Sequence, residues 1–283
     1  MTHSRTLPDR PAGWNMLDDA LEPDQRFSTW PDVEKLQRGP EPYPDFVIED
    51  AAAIDTELGV LKTGKEADVF LLERATPRQS ALLAAKRFRD PKHRNFRRAA
   101  IYNEGRAVKR SRDARALKAG STYGRSVEAG RWAASEWNYL RMAFEAGVPV
   151  PYPVQWSGLE ILMEFIADPS SPEAAAPRLH QIRPGPELAV YLWEQLVDAM
   201  RRLAGMGFAH GDLSPYNVLV AGERLVVIDL PQLVDLAGNQ QGVELLARDC
   251  QNVHAWFSAH GLPATAPLAD PDELLADLLG HAW

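Results

Sequence analysis

Apolar and polar positions follow two rhythms along the chain. From Leu58 the rhythm is that of short strands. Gly59-Val60-Leu61 leads into a polar turn, Lys62-Thr63-Gly64-Lys65-Glu66, then into Ala67–Leu72, which is rich in β-favouring side chains, and a third strand is predicted over Ala81–Phe88. The rhythm turns helical over Trp132–Ala146, where Trp132, Trp137, Leu140 and Phe144 recur at helical spacing and Gly147 supplies a C-cap. Val148-Pro-Val-Pro-Tyr-Pro is extended, because successive prolines forbid a helix. Leu159–Ile166 reads as a strand, Asp168–Pro186 as a proline-rich connection, and Glu187–Met206 as a second long helix closed by Gly207. A polar turn over His210–Asn217, strands at Val218–Val220 and Leu225–Ile228, and helices over Gln241–His260 and Asp272–Leu279 complete the pattern. Strands early and helices late predict an α+β protein of two lobes joined near residues 164–186.

Before Phe46 no period is visible. Residues 1–45 read as an irregular arm rich in Pro, Asp and Arg and carrying Trp14 and Trp30. The lobes then fall at 46–166 and 167–283, the first interrupted by a basic insert at about 90–131. That insert changes an otherwise ordinary composition. The 283-residue chain has a net charge of −8, yet Lys86–Arg131 holds 15 Lys and Arg against 4 Asp and Glu. A basic block inside an acidic protein points to a phosphate-rich partner, a nucleotide or a nucleic acid. The stretch is expected to be partly helical and partly mobile. No apolar run approaches the roughly 18 residues of a spanning helix, and the N-terminus lacks the apolar core of a secretory signal. Cys250 is the sole cysteine, which excludes an internal disulfide and a multi-cysteine zinc site. The expectation is a cytoplasmic protein without a membrane partner.

Candidate chemistry concentrates in one string, His210-Gly211-Asp212-Leu213-Ser214-Pro215-Tyr216-Asn217, followed by Val226-Val227-Ile228-Asp229. A loop Asp can accept the proton of an attacking hydroxyl, and an Asn five residues later can ligate a metal ion. An Asp at a strand end can hold the same ion against phosphate oxygens. Phosphoryl transfer needs these three roles. Taken singly, Asp212 and Asn217 are ordinary turn residues and Asp229 a strand cap; the complete string is what points to chemistry. A second candidate, Gly59–Glu66, nearly matches the phosphate loop G-x-x-x-x-G-K-[ST]. Glu66 stands where that loop needs a hydroxyl, and a strand follows where it needs a helix, so a Walker-type NTPase is excluded. What remains is a glycine-bearing turn that either lies over phosphates or is a plain hairpin. Lys86, in a strand of small apolar residues, can reach phosphates if Glu136 holds it; alone, each is a surface charge. Ile161–Ile166 offers main-chain groups to a base edge or is simply core. His254 and His260 lack the spacing of a metal pair, and Cys250 reads as a small core residue.

The order of these motifs resembles the RIO family of atypical serine/threonine protein kinases, nearest its type 1 branch. The resemblance rests on Thr63–Phe70, Ala85-Lys86, Trp132 with Glu136, Leu162–Ile166, His210–Asn217, Ile228-Asp229 with Gln232, Arg248-Asp249 and Trp256-Phe257, over roughly residues 50–262. It implies a two-lobed protein-kinase-like fold whose second lobe lacks the activation segment and A-P-E region, and which binds ATP with Mg2+ or Mn2+. It implies Asp212 as the catalytic Asp and Lys86 oriented by Glu136, with Thr63, Gly64, Lys65 and Lys86 at the phosphates. Backbone groups of Glu164 and Ile166 would hold adenine, with Met163 at the back of the pocket. Asn217 and Asp229 would hold the metal. The insert resembles a loop in which autophosphorylation occurs, with Ser111, Ser121, Thr122 and Ser126 as acceptors. The chain departs from conventional kinases at Asp229-Leu-Pro in place of Asp-Phe-Gly. It also lacks the His-Pro expected after Gln232 in the type 1 branch, and its N-terminal arm is too short and irregular for the winged helix of the type 2 branch.

The expected activity is that of an ATP-dependent serine/threonine protein kinase, acting by autophosphorylation or as an ATPase on an unknown protein substrate. Two alternatives share the motifs. A small-molecule phosphotransferase of the aminoglycoside or choline kinase kind carries a similar H-G-D-x-x-x-x-N loop. A nucleotide-gated module could contact RNA or a ribosome through the basic insert.

Overall fold

The structure, a computed structural model, describes residues 21–89, 122–230 and 233–282, with only the backbone at 122–129. Most of the basic insert lies outside the described residues, and with it Ser111, Ser121 and the expected RNA or ribosome contact; Trp14 and Gln232 lie outside them too.

The first lobe is one antiparallel sheet of order β1-β2-β3-β4-β6-β5. Its strands are β1 (Gln25–Phe27), β2 (Ile54–Thr63), β3 (Ala67–Ala75), β4 (Ser80–Phe88), β5 (Pro153–Ser157) and β6 (Glu160–Glu164). The sequence reads residues 1–45 as irregular. The structure instead adds Gln25–Phe27 to the sheet edge against Ile54–Thr56 and buries Trp30 beneath it. Trp30 packs edge-on against Tyr43 and joins Val47, Leu72, Leu83, Tyr152 and Leu162 in the core of this lobe. A buried ionic cluster holds this edge in place. The Arg74 guanidinium donates to both oxygens of Asp55, at 2.7 and 3.0 Å, and to Gln155 Oε1 at 2.8 Å. The inward-facing charge of Asp55, partnered by Arg74 on β3, hides the alternation at the start of β2, which is why the sequence pattern locates only its Gly59–Leu61 segment.

Helix α1 (Thr122–Glu145) begins ten residues before the apolar period that announces it, so the end of the basic stretch is helical. Its buried stripe, Trp132, Ala133, Glu136, Trp137, Leu140 and Ala143, lies against the sheet and the second lobe. After Glu164 the chain leaves the sheet and enters a small ribbon, β7 (Ala167–Asp168) with β8 (Ser171–Ala175), inside the segment the prolines mark as a plain connection. Helix α2 (Pro186–Gly205) follows, with Pro186 in its first turn, where the missing N–H costs nothing. Two further ribbons pair β9 (Phe208–Ala209) with β12 (Val234–Asp235) and β10 (Val218–Ala221) with β11 (Arg224–Val227). Helices α3 (Gly242–Ala259) and α4 (Pro271–Ala282) close the lobe. Trp193 at its centre is wholly buried, stacks edge-on with Phe257 and donates Nε1–H to Pro267 O at 2.9 Å. Among the described residues, no helix is long and apolar enough to cross a membrane.

Candidate active site

The sheet register brings the cations together. Val69 on β3 pairs with Lys62 on one side and with Lys86 on the other. Residues directly opposite in an antiparallel ladder share a face, so both lysines flank Val69 on the same side of the sheet. Lys86 is almost buried, and its ammonium binds the Glu136 carboxylate of α1 and, at 2.9 Å, Oδ1 of Asp229. Lys62 reaches Oδ2 of the same Asp229 at 3.4 Å. Burial opposes the charge on Lys86, but Glu136 and then Asp229 outweigh it, and the net shift is upward. Burial pushes the Glu136 carboxyl up against the pull of Lys86. Its Oε2 is buried without a hydrogen-bond partner among the described residues. Asp229 is held well below the usual carboxylate range, first by Lys86, against burial, with further help from Lys62.

Asp229 comes from the second lobe. Register Val218↔Val227 in the β10–β11 ribbon sets Asn217 opposite Ile228, whose N–H donates to Asn217 O at 2.9 Å. Asp229 is therefore next to Asn217 in space as well as facing the sheet. It sits at φ 67°, a left-handed conformation that Asp tolerates better than most residues. Asn217 is buried and spends Nδ2 on the Asp212 carbonyl at 3.0 Å, which leaves Oδ1 as the acceptor of its amide. Asp212 itself is exposed at the cleft.

Helix α3 holds this loop by three side chains. The Asp249 carboxylate, fully buried, accepts the N–H groups of Gly211 and Leu213 at 2.7 and 2.8 Å. Arg248 donates to Gly211 O, and Asn252 donates to Leu213 O at 3.2 Å. Gly211, at φ 81°, makes the turn that aims both N–H groups at one carboxylate. His210 Nε2 lies 3.2 Å from Ile228 O, which joins the loop to the strand end that carries Asp229.

The remaining sequence candidates line the rim. Thr63 ends β2, and Gly64 and Lys65 lie in the β2–β3 turn, with Gly64 N–H donating to Ala67 O at 3.1 Å. Lys65 is exposed at the tip. Asp68, just beyond, is bound by Arg89 at 2.7 and 2.6 Å, which holds its pKa down, and a lesser contact comes from Thr63. Met163 lies on β6 opposite Ala84. At the hinge, Glu164 N–H donates to Tyr152 O and Ile166 O accepts from Ala176 N–H, both at 2.8 Å. Ile166 N–H has no backbone partner among the described residues. The Glu164 side chain spans the lobes, accepting Tyr152 N–H at 3.0 Å and pairing with Arg224 at 3.3 Å.

Sequence reasoning gave no site role to three side chains that the structure brings to the cleft, although Arg248-Asp249 was among the matched motifs. Asp249 had a signal: an acid on the apolar stripe Leu245, Leu246, Cys250, Val253 must be buried and therefore partnered. Glu164 was read for its backbone alone. Lys62 had no signal, because its facing depends on a bulge in the pairing of β2 with β3.

A sheet lysine pinned by a helix glutamate, over a helical lobe that presents an Asp-x-x-x-x-Asn loop and a strand-end Asp, is the arrangement of protein-kinase-like phosphotransferases. The RIO domain model matches residues 82–268, and the chain belongs to the RIO domain family. A RIO-type serine/threonine-protein kinase Rio1 of Haloferax volcanii is 35% identical over 212 residues, which cover 75% of this chain and 66% of that protein. The corresponding Rio1 of Thermoplasma acidophilum is 32% identical over 143 residues, 50% of this chain and 69% of that one. Among solved structures, the Rio2 kinase–ADP/Mg2+–phosphoaspartate complex from Chaetomium thermophilum shares the fold. Its TM-score is 0.53 at 22% identity, over 79% of this chain and 62% of that one.

Proposed function

We propose that this chain is an ATP-dependent phosphotransferase of the RIO serine/threonine-kinase type. The observation that carries the reading is the Asp229 carboxylate, held by Lys86, itself bound to Glu136, beside the loop of Asp212 and Asn217. Asp212, the exposed carboxylate, takes the proton of the acceptor hydroxyl. Lys86 holds phosphate oxygens and Glu136 keeps it in place. Ile166 N–H and the Glu164 main chain meet the adenine edge, with Met163 behind them, and the Thr63–Lys65 turn covers the phosphates.

A divalent cation fits the donor set on one condition. Among the described residues there is no group of three or more His, Cys, Asp or Glu side chains able to form a cage. Asp229 and Asn217 would supply two oxygens, with nucleotide phosphates and water as the ion's further partners, the kind of donor set Mg2+ prefers. When bound, the ion neutralises charge on the transferring phosphoryl group. The ADP/Mg2+ complex of the Rio2 neighbour supports this reading, and its phosphoaspartate supports ATPase turnover as an alternative output of the same site.

The test is transfer from γ-labelled ATP with Mg2+ or Mn2+, comparing wild type with Asp212→Ala and Asp229→Asn. The expected result is labelled protein in the wild type and a loss of about 100-fold or more in each variant. Acid-stable label marks Ser or Thr, and hydroxylamine-labile label marks an acyl phosphate. Wild-type protein that binds no nucleotide and transfers no label would overturn the reading.

A further inference from the structure

Lys62 is a cation that the roles above leave without a task. Two bulges interrupt the pairing of β2 with β3: register runs Glu57↔Leu72 then Gly59↔Leu71, and Val60↔Phe70 then Lys62↔Val69. Each bulge inserts one extra residue, Leu58 and Leu61, and these are exposed. An extra residue reverses the facing of every side chain beyond it. The second bulge thereby puts Lys62 in the same row as Val69 and Lys86, on the face turned to Asp229.

The two lysines divide one carboxylate, Lys86 on Oδ1 and Lys62 on Oδ2. They are not equivalent. Lys86 has a second anion in Glu136 and a side chain only 11% exposed; Lys62 pairs with Asp229 alone among the described residues and is 38% exposed. When a nucleotide–cation complex enters, the cation needs Asp229 oxygen, and negative phosphates arrive on the same face. Lys86 stays anchored by Glu136. Lys62 is free to exchange one anion for another.

We propose that Lys62 is a phosphate-binding residue that occupies the metal-ligating oxygen of Asp229 while the site is empty and transfers to the nucleotide's phosphates as the cation takes its place. Asp229 is thereby kept from binding a cation without nucleotide, and phosphate and metal enter together. The inference rests on the nucleotide-binding reading and deepens it.

The test uses the full chain with Lys62→Met, which keeps the aliphatic stem, and Lys62→Arg, which restores the charge. Without nucleotide, Mn2+ binding followed by electron paramagnetic resonance is expected to tighten in Lys62→Met, by up to about fivefold for a half-exposed pair. With Mg2+, calorimetric binding of ATP and ADP is expected to weaken about tenfold or more, as loss of a charge-assisted contact implies. Adenosine should bind as in wild type, and Lys62→Arg should recover most of the ATP affinity. Wild-type-like affinities of Lys62→Met for both Mn2+ and ATP overturn the inference. Equal weakening of adenosine and ATP also overturns it, since that marks a merely structural lysine. If the wild type binds neither ATP nor adenosine, the nucleotide reading itself fails, and the Mn2+ titration still decides whether Lys62 guards Asp229.

Discussion

At the scale of single residues, the site depends on a few positions where one atom decides the outcome. Gly64 is one of them. A Cβ built there would stand 2.8 Å from Ala67 O, a backbone atom that the Gly64 N–H already binds. Gly64→Ala therefore has to open the β2–β3 turn, at a cost of about 1–3 kcal/mol typical of forced overpacking. Because that turn lies over the proposed phosphate site, ATP affinity measured by calorimetry should fall while adenosine affinity changes little. Asp229 is another such position. Its left-handed φ of 67° suits Asn as well as Asp, so Asp229→Asn removes the charge and leaves the backbone unstrained. The loss of transfer expected of that variant then reports on the carboxylate and not on a misfolded strand end.

Elements place those atoms, and α3 does so through a buried acid. The Asp249 carboxyl is pushed up to about 6 by burial, against its hydrogen bonds from Gly211 and Leu213. The unfolded chain, with an ordinary carboxyl near 3.8, releases its proton first as pH rises. Between about pH 4 and pH 6 the folded state thus binds more protons, and stability from this group falls as pH rises, by on the order of 3 kcal/mol. Above about 6 its contribution is flat. Asp249→Asn lacks the titration. Urea unfolding of both proteins across this range should show the wild type losing ground to the variant as pH rises from 4 to 6, with a constant difference beyond. A constant difference throughout would mean that Asp249 titrates normally. The same residue shows what a helical period can reveal. Its place on the apolar stripe of α3 was legible; that the partners are the amides of the His210–Asn217 loop was not.

Over the whole molecule, one buried cluster crosses from lobe to lobe, beside the first lobe's own core around Trp30 and Leu83. The largest buried cluster runs from Phe88 and Ile161 in the sheet, through Trp132, Trp137 and Leu140 of α1, to Trp193, Leu196 and Phe257 of the second lobe. A cluster shared by both lobes predicts one cooperative unfolding unit. Trp193→Ala, deep in the second lobe, should cost about 3–5 kcal/mol. Hydrogen exchange would then show protection falling together in α2 and in β4, which are not neighbours in sequence. Loss confined to α2 would indicate lobes that unfold separately. Continuity of this kind gives the cleft a fixed frame, across which Lys86 and Lys62 meet Asp229 from the opposite lobe.

Most of the longer elements, and the residues of the site, were legible in the pattern of the chain. Apolar period located the cores of α1, α2 and α3, turn chemistry located the Gly64 and Gly211 turns, and the spacing of Asp212, Asn217 and Asp229 named the chemistry, because these are local properties of neighbouring residues. The edge strand β1, the ribbon strand β8 and the start of β2 carried no such local mark. β1 is only three residues long and pairs with backbone far along the chain, β8 is exposed along its whole length, and the inward charge of Asp55 breaks the alternation at the start of β2. The tertiary structure alone decided which further groups meet. Lys62 stands at Asp229 because the β2 bulges set the face its side chain takes. The Lys86–Glu136 pair was named by the order of motifs, but that Asp249 reaches the amides of the His210–Asn217 loop follows from packing between elements far apart along the chain, a relation that no periodicity within either element can express.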